Sequence, residues 1–443
     1  MNPILRIALP SIVSNITVPL LGLVDVAIVG HMGSAVYIGA VAVGSMIFSL
    51  MYWLFAFLRM GTSGLTAQAY GRRDTRAMQQ TLLQSVAVAF AIAALLIVLQ
   101  VPVGRIMMWL IGPTADVQPF AEAYFRIAIW GAPAVLCLYA LTGWSVGMHN
   151  TGIPMVVSIS QNIVNIAASL LLVYGLGMKI EGVAFGTVVA QYVGVAMAGI
   201  LLNRRLVPFA FRRGWENTLS SSWKNAFAVT PFRSFFIVNR DIFLRTLCLV
   251  AVNLYFTSAG ARQGAVILSV NAVMMQLYLF FSYFMDGFAN AGEALGGRYY
   301  GAANLTAFRK TLRQLTGWAV AVTTVFTVAY LAGGQTIVGL LTDESEVADT
   351  ATHYIFWAWL IPAAGATAFI CDGIFIGITA TRGMLVSSAI AALSFFAVYM
   401  TTAPTLGNHG LWLAQIVYLA MRGVVQIIWY KCFIHFDLSC NTR

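Results

Sequence analysis

Charged residues are scarce in this chain of 443 residues: Lys, Arg, Asp and Glu make up 9% of it, whereas hydrophobic residues make up 60%. A soluble domain is about a quarter charged and about half apolar, so the composition indicates that lipid is the solvent. Apolar stretches take up nearly the whole chain. They leave no segment of roughly 100 residues for a soluble domain. The sequence therefore excludes a tethered soluble enzyme, an ATPase module and a large receptor head.

Cysteine and histidine are also few, with five residues each. No two cysteines form a CxxC pair, and no histidine falls in an HExxH motif or a paired spacing. A membrane-embedded enzyme would need metal ligands or a nucleophile–base pair within its spans. We therefore expect no enzyme activity, no resident metal and no cofactor.

Twelve apolar stretches are long enough to cross a bilayer, which takes roughly 20 apolar residues per helix. They cover residues 4–30, 36–70, 81–111, 120–147, 154–177, 181–203, 232–258, 264–297, 312–341, 351–380, 384–405 and 410–434, and we number them spans 1 to 12. The sequence thus predicts an all-α polytopic membrane protein, embedded in the lipid bilayer.

The net charge of +10 comes mostly from Lys and Arg residues between the spans. The links after even-numbered spans carry Arg72, Arg73 and Arg76; Arg204, Arg205, Arg212, Arg213 and Lys224; Arg298, Arg309, Lys310 and Arg313; and Arg382. The opposite links carry few, and one contains the acidic run 343–349. Since Lys and Arg concentrate in cytoplasmic loops, we expect both termini to face the cytoplasm. The positive charge is explained by topology, and nucleic acid is not an expected partner.

Sliding the sequence over itself by 230 positions aligns several features at once. QAYGRRD at 68–74 meets RYYGAAN at 298–304, Gly143 and Gly147 meet Gly373 and Gly377, and Thr151 meets Thr381. Each half holds six spans, so both run the same way through the membrane, related by a pseudo-twofold axis along its normal. This predicts an N-terminal lobe at 1–203, a cytoplasmic connector at 204–231 and a C-terminal lobe at 232–443. Two such lobes suit alternating access to a central cavity, although a duplication kept for packing alone would leave the same pattern.

Four acidic residues fall within predicted spans, where a charge is costly and usually functional. They are Asp25, Asp286, Glu293 and Asp372. The candidates for a substrate cavity are the three in the second half, Asp286, Glu293 and Asp372, with the water interface as the alternative place for Glu293. Asp241 has Arg245 four residues further on, a spacing that puts both on one helix face and predicts an ion pair at the interface.

Asp25 has neutral polar residues at a similar depth in other spans. Span 5 offers Asn162, Asn165 and Ser169, which are three and four residues apart and so share one helix face, and span 6 offers Thr187. A carboxylate surrounded by neutral oxygens can hold a proton or a small hard cation such as Na⁺. The sequence predicts a coupling-ion site there. The alternative is that the neutral side chains only hydrogen-bond between helices.

Pro10 precedes Asp25 on the same span. Proline removes a backbone hydrogen bond and bends a helix, so Pro10 is a candidate hinge between two states of the first span. The alternative is a static proline, which membrane helices also tolerate.

Five motifs spread over the whole chain carry a family resemblance. They are LVDVAIVGHMG (23–33), GTSGLTAQAYGRRD (61–74), NIVNIAASLLLVYGLGMKIEGVAFGTVVAQ (162–191), FMDGFANAGEALGGRYYGA (284–302) and CDGIFIGIT (371–379). Together they resemble the multidrug and toxic compound extrusion (MATE) family, and within it the DNA-damage-inducible-F-like branch.

The resemblance implies a twelve-helix, two-lobed antiporter of the inner membrane that exports organic compounds in exchange for H⁺ or Na⁺. It makes Asp25 the coupling-ion residue, with Asn165 and Thr187 beside it. Related members often carry a second Asp where this chain has Ser169, so one charge and one candidate ligand are absent. Pro10 matches the proline that the family links to bending of the first helix.

The expected cargo is a small organic compound, cationic or amphipathic, handled by a monomer. The alternative function is a flippase for a lipid-linked or amphipathic substrate, because a related branch of the superfamily does this with a similar bundle. A flippase would need a cationic cavity for a pyrophosphate. The charges within the spans are mostly acidic, which favours export of cationic or neutral compounds.

Overall fold

The computed structural model describes residues 2–30, 34–205, 229–342 and 344–434, and within these ranges the chain forms helices and turns but no strand. The helices are α1 (Pro3–Gly30), α2 (Ala35–Leu54), α3 (Phe57–Gly71), α4 (Thr75–Val98), α5 (Gln100–Ile111), α6 (Gln118–Ala128), α7 (Ala132–Gly147), α8 (Gly152–Leu170), α9 (Ile180–Arg205), α10 (Val229–Ala261), α11 (Ala265–Gly301), α12 (Leu305–Leu341), α13 (Ser345–Gly377), α14 (Thr381–Leu406) and α15 (Asn408–Trp429). Single wider, π-type turns follow α8 and α15, at Leu171–Gly175 and Tyr430–Ile434.

Ten helical segments in the described ranges are long and apolar enough to cross a membrane, and they correspond to predicted spans 2–6 and 8–12. The other two predicted spans correspond to α1 and α10, which are 28 and 33 residues long. The prediction of an all-α polytopic membrane protein is confirmed. Most of the predicted connector, residues 206–228, lies outside the described residues.

Three predicted spans contain breaks that their hydropathy does not reveal. Span 2 is divided between α2 and α3, span 3 between α4 and α5 at Leu99, and span 4 by a 3₁₀ turn at Ile129–Gly131. Pro133 follows that turn and occupies the first turn of α7, where its missing N–H is not needed. A continuous apolar run therefore does not guarantee a continuous helix.

The helices α4 and α12 begin six or seven residues before the predicted spans, at Thr75 and Leu305. Each has a side-chain cap: Asp74 Oδ1 accepts a hydrogen bond of 2.9 Å from the Ala77 N–H, and Asn304 Oδ1 one of 3.0 Å from the Ala307 N–H. The first two turns of these helices carry charged residues, Arg76 in α4 and Arg309 and Lys310 in α12, so a hydropathy pattern misses them. The capping residues themselves favour a helix start.

The repeat of 230 residues is visible in the backbone. Four non-glycine residues of the described chain have positive φ, in two pairs separated by 230 positions: Arg73 (58°) with Ala303 (52°), and His149 (61°) with Thr379 (55°). Such a conformation is uncommon for a residue with a side chain. The two halves therefore end corresponding helices with the same backbone turn.

Glycine contacts repeat at the same interval. A Cβ atom on Gly143 would collide with the carbonyl oxygen of Arg59, and one on Gly373 with that of Ala289. The partners are themselves 230 positions apart, which places α7 against α3 in the first half as α13 lies against α11 in the second. The close approach of these helix pairs requires glycine, because the obstructing atoms belong to backbone.

Contacts divide the chain into two compact units: an N-unit, Val13–Asn239, and a C-unit, Met1–Ile12 with Arg240–Arg443. The N-unit core contains Trp144, whose indole N–H donates to the Met78 carbonyl oxygen at 3.0 Å. The C-unit core contains Phe281 and Phe375, both fully buried. The division crosses α1 two residues after Pro10. The predicted lobe boundaries, which keep the first span whole, stay a prediction.

Candidate ion-coupling site

Asp25 is a buried carboxylate without a hydrogen-bond donor for one of its oxygens. Its residue is 4% exposed, and its Oδ1 atom is buried with no hydrogen-bond partner among the described residues. Burying a charge without a partner is costly, and a carboxyl group in that position takes up a proton or a cation. Asp25 is therefore suited to hold an ion that is not part of the protein.

Two residues predicted to share a face of α8, Asn165 and Ser169, are both fully buried. Asn165 Nδ2 donates to Thr187 Oγ1 on α9 at 3.0 Å. That leaves Asn165 Oδ1 and Ser169 Oγ buried and without hydrogen-bond partners among the described residues. Gly186 allows α9 to pack closely here, since a Cβ atom on it would collide with Ser169 Oγ. The α8–α9 contact thus presents two unpaired oxygens that could act as cation ligands.

Two hydrogen bonds join α1 to α8 and to the turn that follows α8. Along α1, one bond lies on each side of Asp25. Asn162 Nδ2 donates to the Thr17 carbonyl oxygen at 2.6 Å, and the Tyr174 hydroxyl donates to the Ile28 carbonyl oxygen at 3.1 Å. The predicted ion ligand Asn162 therefore positions α8 against α1 with its amide nitrogen. These bonds hold the part of α1 that carries Asp25 against the helix that carries Asn165 and Ser169.

Tyr124 on α6 joins this site, and the sequence reasoning missed it. It is 3% exposed and interacts electrostatically with Asp25, and the side chains of Thr187 and Ser45 lie near its hydroxyl group. A Cβ atom on Gly44 would collide with the Tyr124 ring, so that glycine makes room for it. The available signal was a tyrosine inside an apolar span, because a buried phenol usually finds a polar partner.

Asp372, on α13, has three partners in the C-unit. It forms ion pairs with Arg245 on α10 and with Arg422 on α15, the latter at 2.6 Å between Nη2 and Oδ2, and it accepts from Gln426 Nε2 at 2.5 Å. All four residues are less than 10% exposed. The sequence predicted Asp372 as a substrate-cavity group, and the structure shows that two guanidinium groups already bind it.

The predicted ion pair between Asp241 and Arg245 is wrong. Arg245 pairs with Asp372, whereas Asp241 pairs with Arg240 at 2.8 Å and accepts a hydrogen bond of 3.3 Å from Thr381 Oγ1. A spacing of four residues makes a local pair possible, but it does not show which charges on other helices compete for the same side chain.

The other two acidic candidates lie on α11 in contrasting surroundings. Asp286 is exposed and interacts electrostatically with Tyr278 and Tyr283. Glu293 is 1% exposed, and a Cβ atom on Gly377 would collide with its backbone carbonyl oxygen. Their roles in a substrate cavity stay predictions.

Pro10 is half-buried in α1, and the helix continues through it. The turns around it belong to the C-unit, where a Cβ atom on Gly287 of α11 would approach the Ala8 carbonyl oxygen to 2.9 Å. The described residues contain no group of three or more His, Cys, Asp and Glu side chains that could hold a metal ion. A cation at Asp25 would depend on neutral oxygens instead.

The chain matches the MatE family over residues 10–171 and again over residues 242–400. This protein is a member of the MatE family. It is 39% identical over 427 residues to DNA damage-inducible protein F of Escherichia coli, covering 96% of this chain and 91% of that protein. It is 25% identical over 434 residues to the probable multidrug resistance protein NorM of Acinetobacter baylyi, covering 92% and 90%.

Solved structures show the same fold at lower sequence identity. Crystal structures of MATE in the straight and the bent conformation are 17% and 16% identical to this chain, with TM-scores of 0.84 and 0.83. Each comparison covers 99% of this chain, and 96% and 95% of the solved chains. The family is one of two-lobed membrane transporters, so the predicted fold class and family are confirmed.

Proposed function

We propose that this MatE-family transporter exports small organic compounds across the inner membrane in exchange for H⁺ or Na⁺, as a monomer with both termini in the cytoplasm. The observation that carries the proposal is the buried, unpartnered Oδ1 atom of Asp25. Membership of the family supports export, since the A. baylyi relative is described as a probable multidrug resistance protein.

The coupling ion is held at Asp25. As H⁺ it protonates the Asp25 carboxylate; as Na⁺ it binds the carboxylate together with neutral oxygens, for which Asn165 Oδ1, Ser169 Oγ and Thr187 Oγ1 are the candidates. Either ion removes the cost of an uncompensated buried charge. Since Ser169 supplies no second carboxylate, the site balances one positive charge at a time.

Coupling requires that the ion and the cargo prefer different states of the protein, because an ion with equal affinity for both states shifts nothing. In alternating access, the ion-bound form opens to one side and the cargo-bound form to the other. Pro10 is the proposed hinge in α1. A bent and a straight conformation have been described for a MATE protein of the same fold.

The predicted cargo is cationic or amphipathic. A cationic cargo depends on acidic side chains that are free to pair with it. In the C-unit, Asp372 is already bound to Arg245 and Arg422. We therefore favour an amphipathic cargo over a cationic one.

Proteoliposome efflux of a fluorescent dye tests the function. Purified protein is reconstituted with dye inside, and a pH gradient and a sodium gradient are imposed separately across the membrane. We expect one of the two gradients to drive dye efflux, and the dye to leave the vesicles only slowly when no gradient is imposed. Gradient-independent dye efflux at the full rate would contradict it.

The flippase alternative has one observation in its favour, which is the second guanidinium group beside Asp372. The same vesicles, made with a trace of fluorescent phospholipid, test it. Scrambling of that lipid without dye efflux would replace export by the flippase function, whereas dye efflux with intact lipid asymmetry would exclude it.

A further inference from the structure

Four buried side chains from three helices of the C-unit form what we call the Asp372 cluster: Arg245 from α10, Asp372 from α13, and Arg422 and Gln426 from α15. Gly423 allows α15 to approach α13 closely, since a Cβ atom on it would lie 2.9 Å from the Thr367 Cβ atom. The cluster thus has a fixed geometry within tightly packed helices.

The Asp372 cluster carries a net positive charge, because it contains two guanidinium groups and one carboxylate. The nearest acidic side chain along α10, Asp241, is paired with Arg240. Asp286 lies eight residues beyond Tyr278 on α11, about 12 Å along the helix, and is exposed, so it is not one of the buried groups of the cluster. A buried charge of +1 is costly in a membrane protein, so the cluster attracts an anion.

Hydrogen-bond donors also outnumber acceptors in the cluster. A guanidinium group has five N–H donors, yet among the described residues both Arg245 and Arg422 donate to the same Oδ2 atom of Asp372. Arg245 Nε and Arg422 Nε are buried without a hydrogen-bond partner in that part of the chain. Donors left unpaired in a buried position need an explanation, and an acceptor-rich ligand supplies one.

Aromatic rings surround the charged groups. The Arg422 guanidinium lies 5.7 Å from the centre of the Tyr418 ring, and Tyr278 interacts electrostatically with both arginines. The Tyr278 ring is 6.5 Å from that of Phe369. These rings offer apolar surface next to unpaired donors, an arrangement that suits a ligand with one anionic end and an apolar body.

The fold itself does not require the cluster. In the first half, the positions 230 residues before Arg245, Asp372 and Arg422 hold Asn15, Thr142 and Tyr192. That half repeats the same turns and glycine contacts without these three charges. A buried group that one copy of the repeat lacks is a better candidate for function than for folding.

We infer that the Asp372 cluster binds the carboxylate of an amphipathic organic acid. The carboxylate oxygens accept hydrogen bonds from Arg245 and Arg422, the single negative charge neutralises the cluster, and the apolar body lies against Tyr278 and Tyr418. Asp372 holds the two guanidinium groups in place and limits the net charge to +1. The inference deepens the proposed export function by naming the class of cargo.

Three fluorescent ligands of matched size test the inference: 2-naphthoate, 2-naphthamide and 2-naphthamidine, which are negative, neutral and positive. Binding to the purified full-length protein is measured at equilibrium without any ion gradient. We expect the wild type to prefer naphthoate over naphthamide by roughly tenfold or more, as for hydrogen bonds to a charged group. Preference for naphthamidine, equal affinity for all three ligands, or displacement of naphthoate by an equal concentration of chloride would overturn the inference.

Two variants change the charge of the cluster in opposite directions. Arg422→Gln makes it neutral and should lower naphthoate affinity roughly tenfold while leaving naphthamide unchanged. Asp372→Asn raises its charge to +2 and should preserve or increase naphthoate affinity. The double variant, with both substitutions, restores the net charge of +1 and replaces either single variant that fails to fold. The matched control is Arg262→Gln, which removes an exposed arginine of the same unit. Loss of naphthoate binding in Asp372→Asn with retention in Arg422→Gln would contradict the inference.

The binding measurement is independent of ion coupling. A protein that binds naphthoate but shows no gradient-driven transport would contradict the proposed function and support the carboxylate site. A protein that transports dye under a gradient but has no preference for naphthoate would support the proposed function and contradict the carboxylate site.

Discussion

The N-unit and the C-unit are built with the same devices but contain different buried charges. Each has a positive-φ turn at corresponding positions, a capped helix after it, and a glycine against a backbone carbonyl 230 residues from its counterpart. The N-unit, however, buries one carboxylate among neutral oxygens, whereas the C-unit buries a carboxylate between two arginines. The comparison suggests that packing was kept in both copies while their chemistry diverged, with the first suited to a cation and the second to an anion.

The largest expected effect on folding is at the repeated glycines. Gly143→Ala and Gly373→Ala each place a Cβ atom against a backbone carbonyl oxygen, so helices must move apart, at a cost of about 1–3 kcal/mol. Thermal unfolding in detergent should show a lowered Tm for both. Gly317→Ala is the control, because nothing lies within 4 Å of its added Cβ atom. Equal Tm values for the three variants would contradict the claim that both halves need glycine at these two helix contacts.

A second carboxylate in the N-unit should change ion preference. Ser169→Asp adds a charged ligand on the face of α8 that carries Asn165, and ligand charge tunes cation affinity. With Na⁺ as the coupling ion, we expect the sodium concentration for half-maximal efflux to fall roughly tenfold. Ser169→Asn has the same size without the charge and controls for crowding against Gly186. The same sodium dependence in both variants would exclude Ser169 from the ion site.

The smallest expected effect is at the helix caps. Asp74→Ala and Asn304→Ala each remove an N-cap hydrogen bond and should each cost about 1 kcal/mol of unfolding free energy. Chemical denaturation measures both, with Asp74→Asn as the control that keeps an acceptor as Asn304 does. A clear loss in only one half would show that the two caps are not equivalent.

Hydropathy was enough to predict an all-α membrane protein and to place ten of the twelve predicted spans on helices that qualify as membrane spans in the described ranges. It did not reveal the breaks within spans 2 to 4, because both sides of each break are apolar. Hydropathy also missed the first two turns of α4 and α12, which carry charged residues, although Asp74 and Asn304 are favourable capping residues in the sequence. Predicting where these helices begin and end therefore requires turn and cap residues as well as hydropathy.

The candidate sites were predictable to different degrees in the two units. In the N-unit, helical spacing placed Asn165 and Ser169 on one face with Thr187 at a similar depth. The structure shows Asn165 donating to Thr187 and adds Tyr124 to their surroundings. In the C-unit, local spacing suggested Asp241 as the partner of Arg245, whereas the actual partner is 127 residues away in sequence. Which helices pack together decides such a pair, and one sequence does not specify that packing.

The central claim is that Asp25 in the N-unit holds the coupling ion. The most direct test is the initial rate of efflux by Asp25→Asn, measured under the pH gradient or sodium gradient that drives the wild type, at equal protein per vesicle. Asparagine keeps the size of the side chain but cannot cycle between a charged and a neutral form, so gradient-driven efflux should collapse. Naphthoate binding at the Asp372 cluster should persist, which shows that the variant is folded. Coupled efflux at the wild-type rate would contradict the claim and move the coupling to Asp286, Glu293 or Asp372.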